Sequence, residues 1–207
     1  MTRKIQQLSD PSLRVSYLEA GQGAPLVLLH GVGMNAEAWF PQIEVLSRRF
    51  RVIALDMPGH GESSGFRHAA TLKDYVQWLA AFLRTQPERS FAVAGHSMGA
   101  LITAGLAIDY PQLVNHAIVI SGVYKRSPEA REAVVKRALE LASGDVCLDA
   151  PLDRWFSTGR HEQPLRNKVG AWLQQVNLDA TPGLTRRLPR AIGFTPIAGM
   201  KCSVRCW

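Results

Sequence analysis

The sequence predicts an α/β fold, a mostly parallel sheet flanked by helices, with a helical insertion following it. Three observations carry that prediction. Short apolar runs recur at residues 25–30, 51–56, 91–95 and 115–121, as expected of strands buried on both faces of a parallel sheet. Helical spacing fills the stretches between them. Glycine-rich loops, HGVG, DMPGHGES and GHSMG, stand at the ends of the first three runs. Strand–helix alternation of this kind places helices on both faces of one sheet.

Taken in order, residues 13–19 (LRVSYLE) alternate enough for an outer strand, and GQGAP after them is a turn. PLVLLH is the first buried strand. From Ala36 onward, Ala36, Trp39, Phe40, Ile43 and Leu46 recur at helical spacing, and Pro41 within the first turns makes that helix irregular. RVIALD is the second buried strand. Thr71 and Asp74 have the spacing of a capping box, opening a helix to about Thr85 with Tyr75, Leu79, Phe82 and Leu83 inward. FAVAG is the third strand, and the helix that follows GHSMG stops at Pro111. NHAIVIS is the fourth strand. The alternation then ends. Ser127 and Pro128 read as the start of a helix that ends at Gly144, with further helices around 152–158 and 162–178. Three helices with no strand between them predict a cap. The expected organisation is a core over 1–124, a helical cap over 125–179 and an atypical tail of unassigned structure over 180–207.

The chain has 207 residues, of which 46% are hydrophobic, enough to bury roughly 70% of its unfolded surface. The net charge of +7 raises the question of an anionic partner. Its distribution answers it: Arg186, Arg187, Arg190, Lys201 and Arg205 follow the last acidic residue, Asp179, and account for most of the excess. A charge confined to a tail predicts no nucleic-acid groove. No apolar run is long enough to span a bilayer, and the first residues have no apolar signal core, so no membrane partner and a cytoplasmic location are expected. Three cysteines make no disulfide framework. Cys202 and Cys206 have C-x3-C spacing, but no further ligands are placed for a metal.

The chemistry centres on Ser97. A G-x-S-x-G motif between an apolar strand and a helix has the layout of a nucleophile elbow, where the turn is so sharp that Gly95 and Gly99 must lack side chains. The plainer reading is a loop that merely joins a strand to a helix. The helix N-terminus beneath Ser97 favours developing negative charge. Acyl transfer creates an oxyanion, and two backbone N–H groups aimed at it stabilise it by several kcal/mol. The N–H of Met98 can supply one. A glycine-flanked loop on a neighbouring strand end can supply the other, with Val32, between Gly31 and Gly33, the best placed. His30 precedes the nucleophile and is expected to hydrogen-bond within its own loop rather than act as a base. Asp56 is expected to brace the tight loop around Gly59 and Gly61. His60 and Glu62 read as loop residues, and His96 as packing beside the elbow.

HGVG, DMPGHGES and GHSMG, in that order and each at a strand end, resemble the α/β-hydrolase family, in particular its small bacterial esterase and lactonase branch. The resemblance covers residues 13–121 continuously and extends through a cap over about 127–178. It implies a serine hydrolase acting on small carboxylic esters, lactones or related acyl compounds. Ser97 would be its nucleophile, Val32 and Met98 its oxyanion hole, and no metal or organic cofactor would be needed. A serine at position 97 disfavours the branches with an aspartate nucleophile.

The family order is nucleophile, then acid, then histidine. After Ser97 only His116 and His161 remain. His116 opens the fourth strand, at the opposite edge of the sheet from Ser97, and His161 lies in a polar HEQP stretch. No acid follows the fourth strand in SGVYK, and Asp145, Asp149, Asp153 and Asp179 fall within or beside the cap helices. The acid and base of the triad are therefore expected to be absent. The Arg- and Pro-rich ending suggests an N-terminal portion of a hydrolase whose reading frame shifts near Asp179, the alternative being a divergent native tail. A non-catalytic ligand-binding protein on the same fold, and a truncated product that folds poorly, are the other readings.

Overall fold

The structure is a computed structural model that describes residues 1–10, 12–68, 70–123, 127–130, 132–133, 149–156 and 162–175. Six strands form one sheet: β1 (Thr2–Gln7), β2 (Arg14–Ala20), β3 (Ala24–Leu29), β4 (Phe50–Leu55), β5 (Phe91–His96) and β6 (Val114–Ile120). Their spatial order is β1-β2-β4-β3-β5-β6. β1 pairs antiparallel with β2, and β2 antiparallel with β4. The β4–β3, β3–β5 and β5–β6 pairs are parallel. The α/β fold, with its mostly parallel sheet, is thus as the sequence predicts.

Alternation along the central strands divides the core. Val27, Leu29, Ile53, Leu55 and Val93 point to one face, where α2 (Leu72–Arg84) and α3 (Met98–Asp109) pack. Leu26, Leu28, Val52, Ala54 and Ala94 point to the other, against α1 (Phe40–Leu46). Val27, Leu29, Ile53 and Leu55 are fully buried, each contributing about 1.5–3 kcal/mol by removal from water. The capping box is present: the Asp74 carboxylate accepts from the Thr71 backbone N–H and hydroxyl, each at 2.6 Å. The irregular helix start takes the form of a 3-10 turn over Ala36–Trp39, capped by Asn35, which runs into α1 with Pro41 in its first turn.

Two differences from the sequence reading stand out. The polar start, TRKIQQ, is strand β1, because backbone pairing with β2 supplies what its single apolar residue does not. The segment expected around 152–158 is α4 (Asp149–Trp155), which begins earlier because Pro151 is tolerated within a first turn. The helix expected over 162–178 is present among the described residues as α5 (Gln163–Gln175). Of the helix expected from Ser127 to Gly144, 128–130 and 132–133 are helical and the remainder lies outside the described residues, as does the 180–207 tail. Leu152, Val169 and Trp172 of α4 and α5 pack together with Met34 and Ala38 of the segment after β3.

Candidate active site

The chain leaves β3 toward β4 on one side and returns across it to β5 on the other. Such a change of direction opens a crevice at the carboxyl ends of the strands. Here the loop after β3 and the turn after β5 meet. A Cβ built on Gly31 would lie 3.3 Å from the Ser97 Cβ and 3.1 Å from His96 Nδ1.

Ser97 sits at φ 54°, ψ −111° between β5 and α3. A serine at positive φ is strained, and such strain persists only where the surroundings over-determine it. Two constraints are visible. The Ser97 N–H donates to the Ile120 carbonyl of β6 at 2.9 Å. The helix also lies so close beneath the turn that a Cβ on Gly95 would strike the Gly99 carbonyl and Thr103 Oγ1, and one on Gly99 the carbonyls of Leu29 and His30. Ser97 and His96 are exposed at the strand end, while Gly95, Met98 and Gly99 are buried. Burial on one side lowers the His96 pKa.

The loop after β3 supplies the candidate donors. The Gly33 N–H donates to His60 Nε2 at 3.1 Å, and the Met34 N–H to the Gly31 carbonyl at 3.2 Å. Among the described residues, the N–H groups of Val32 and Met98 have no hydrogen-bond partner. Leu173 of α5 lies directly over Gly33, where a Cβ would collide with it.

Asp56 is wholly buried and binds both loops. One carboxylate oxygen accepts the Ala36 N–H at 2.7 Å; the other accepts the Glu62 N–H at 3.2 Å and the Arg3 guanidinium at 2.6 Å. Ser63 Oγ donates to the Asp56 carbonyl at 2.7 Å. Arg3 also reaches Glu62 at 3.2 Å and Glu37 at 3.6 Å, and Glu37 in turn pairs with Lys168 of α5 at 2.8 Å. A chain of opposite charges thus runs from α5 to the buried carboxylate. Arg3 was not singled out in the sequence because it lies on the unrecognised strand β1. The acidic turn DP between TRKIQQ and LRVSYLE was the available signal of a hairpin.

His30 reaches further than its own loop. Its Nδ1 lies 2.7 Å from the Gly31 carbonyl, and its Nε2 accepts the Met57 N–H from the loop after β4 at 3.0 Å. Its pKa is held well below the usual imidazole value, first by burial and then by His60. No histidine or carboxylate among the described residues hydrogen-bonds to Ser97 Oγ. His116 pairs with Ala92, far down β5 from Ser97, and is exposed. Asp149 and Asp153 are exposed and face Arg166. His161, Asp145 and Asp179 lie outside the described residues.

A sequence profile described as alpha/beta hydrolase fold matches residues 24–189. The (E)-2-((N-methylformamido)methylene)succinate hydrolase of Acinetobacter baylyi is 46% identical over 178 residues, covering 86% of this chain and 67% of that protein. The chain thus spans about two thirds of that relative's length. Among solved structures, a hydrolase from Pseudomonas aeruginosa superposes with a TM-score of 0.78 at 22% identity, over 89% of this chain and 72% of that one. E-2-(Acetamidomethylene)succinate hydrolase superposes with a TM-score of 0.69 at 20% identity, over 89% and 73%. At these identities the structural likeness establishes the fold.

Proposed function

Because the chain belongs to the alpha/beta hydrolase fold family, we propose that Ser97 is the nucleophile of a hydrolase acting on small acyl compounds. The observation that carries this reading is a strained serine at a strand–helix turn, φ 54°, beside two backbone N–H groups that nothing in the described chain engages. In the proposed reaction Ser97 Oγ adds to a carbonyl carbon, its proton passes to solvent water, and the π-electron pair moves onto oxygen. The N–H groups of Val32 and Met98 receive that oxyanion. Collapse expels the alcohol, enol or amine, which takes up a proton from solvent water; a second water then breaks the acyl–Oγ bond, its hydroxyl leaving in the acid and its other hydrogen returning to Ser97 Oγ. Small carboxylic esters and lactones are the first substrates to test. The name of the Acinetobacter relative adds a third class, N-acylated aminomethylene succinates. Two largely polar helices, α4 and α5, lay their few apolar side chains, Leu152, Val169, Trp172 and Leu173, over Met34 and Ala38 of the segment after β3. They form the proposed cap and would contact the acyl or leaving group.

Covalent labelling by a fluorophosphonate tests the reading. The expected result is a single adduct on Ser97, absent in Ser97→Ala. Equal labelling of the two proteins would eliminate the nucleophile. The absence of a base on Ser97 Oγ among the described residues favours one second reading, a ligand-binding protein on the same fold. Its signature is tight small-acid or ester binding, measured calorimetrically, without labelling. A chain without a base is expected to turn over slower by several orders of magnitude, retaining what the oxyanion hole supplies.

A further inference from the structure

We infer that His60, together with His30, is a positioning residue that sets the aim of the Val32 N–H through a reciprocal clasp which only neutral imidazoles can form. The inference rests on the proposed role of Val32. Each ring belongs to one loop and takes a backbone N–H from the other. His30, at the end of β3, accepts from Met57 after β4. His60, after β4, accepts from Gly33 after β3. Each ring also holds its own loop, with His30 Nδ1 on the Gly31 carbonyl at 2.7 Å and His60 Nδ1 on the Pro58 carbonyl at 3.0 Å. The rings meet edge to face, 5.1 Å apart.

Hydrogen-bond polarity then determines both tautomers. A carbonyl oxygen only accepts, so both Nδ1 atoms carry the proton. A backbone N–H only donates, so both Nε2 atoms are bare. A proton added to either Nε2 would face an N–H group and break that bond.

The consequence falls on Val32. The Gly31 carbonyl and the Val32 N–H belong to one trans peptide unit and point in opposite directions. Holding the carbonyl on His30 turns the Val32 N–H away from that ring. The next peptide unit, between Val32 and Gly33, is held by His60. Both planes flanking Val32 are therefore held by an imidazole, the first also by the Met34 N–H at 3.2 Å. The rings are 1% and 2% exposed. The ionisable groups facing them are Asp56 and His30 at His60, and His60 and His96 at His30. Burial lowers both pKa values, outweighing the Pro58 carbonyl and Asp56 at His60 and the Gly31 carbonyl at His30.

The test compares the full chain with His60→Leu and His60→Gln. Glutamine retains an oxygen near the position of Nε2 and does not titrate; leucine offers no acceptor. Amide hydrogen exchange at Gly33 and the rate of fluorophosphonate labelling are read together, from about pH 7.5 down to about pH 5. His60→Leu should speed Gly33 exchange and slow labelling about tenfold or more, the scale of a misdirected catalytic group. His60→Gln should recover most of both losses. The ratio of native to His60→Gln labelling should fall with acid, because both proteins keep the His30 ring and only the native one also has a titratable ring on the Gly33 N–H. Equal losses in the two variants, or unchanged Gly33 exchange in His60→Leu, would overturn the inference. Should Ser97→Ala label like the native chain, the nucleophile reading fails by itself and Gly33 exchange decides the clasp. Should His60→Leu not fold, the pH dependence of Gly33 exchange in native and His60→Gln protein decides it.

Discussion

Among the described residues the two edges of the sheet are β1 and β6, and both reach the candidate site, by different chemistry. β1 lies three strands from β5, with β2, β4 and β3 between them, so its backbone cannot touch the site. It sends a side chain instead: Arg3 reaches Asp56 beneath both loops. β6 lies next to β5 and uses its backbone, the Ile120 carbonyl holding the Ser97 N–H. The edges also differ in what they show to solvent. β1 carries Arg3 and Lys4, the kind of charge that blunts a sheet edge. β6 reads VNHAIVI, has no lysine, arginine or carboxylate, and leaves Ile118, Val119 and Ile120 at 45%, 52% and 38% exposure. An edge that contributes by side chain is open to mutation and already soluble. An edge that contributes by backbone is indifferent to its own side chains and carries an association hazard.

The sharpest way to break this contrast is Arg3→Met. Among the described residues it removes the one side-chain cation on a fully buried carboxylate, and the expected loss is about 2 kcal/mol. Urea unfolding measures it, and the double variant with Asp56→Asn should recover part of the loss. A change below about 0.5 kcal/mol, the scale of an ordinary surface pair, would show that Arg3 is ornamental. Acid should act next, and unequally. Above the usual imidazole pKa of 6.5 the folded and unfolded chains bind the same number of protons at His30 and His60. Below it the unfolded chain takes up protons that the folded clasp refuses, so stability falls as pH falls. Carboxylates held low, such as Glu19 and Asp74, contribute stability that is lost only in more acid solution. Protection of the Gly33 amide, its exchange compared with an unstructured amide at the same pH, should therefore be lost before that of Ser97, whose bond to Ile120 has no titratable partner. Simultaneous loss of protection at both amides would count against the clasp. Val119→Lys should lower concentration-dependent association, measured by sedimentation, with little change in unfolding midpoint, because it places on β6 the charge that β1 already has. Unaltered association would mean that β6 is not the exposed edge in solution. The smallest effect is expected of Lys4→Ala, since the Lys4–Glu19 pair is half exposed and screened. A thermal shift beyond experimental error would show that the charge on β1 does more than protect an edge.

Much of the fold was legible. PLVLLH, RVIALD and FAVAG are apolar runs with β-branched residues, and each ends at a glycine-rich loop, so strand, end and turn are all declared locally. Ser97 was legible for the same reason, because strand, glycine, serine and helix follow one another without a gap. β1 was not, since a six-residue segment with one apolar residue has no periodicity of its own and becomes a strand only by pairing. His60 read as a loop residue because its task depends on Gly33, 27 positions away. Arg3 is 53 positions from Asp56, and nothing local links them.

What the sequence determined by itself is the order of strands and helices and the three loops gathered at the strand ends. Side-chain periodicity and glycine placement are properties of neighbours along the chain, and they act before any tertiary contact forms. The tertiary structure decided which donor meets which acceptor: Arg3 with Asp56, Met57 with His30, Gly33 with His60, Ser97 with Ile120. Hydrogen bonds are short and directional, so a pair distant in sequence has no signature until the sheet brings its strand ends within about three ångströms of each other.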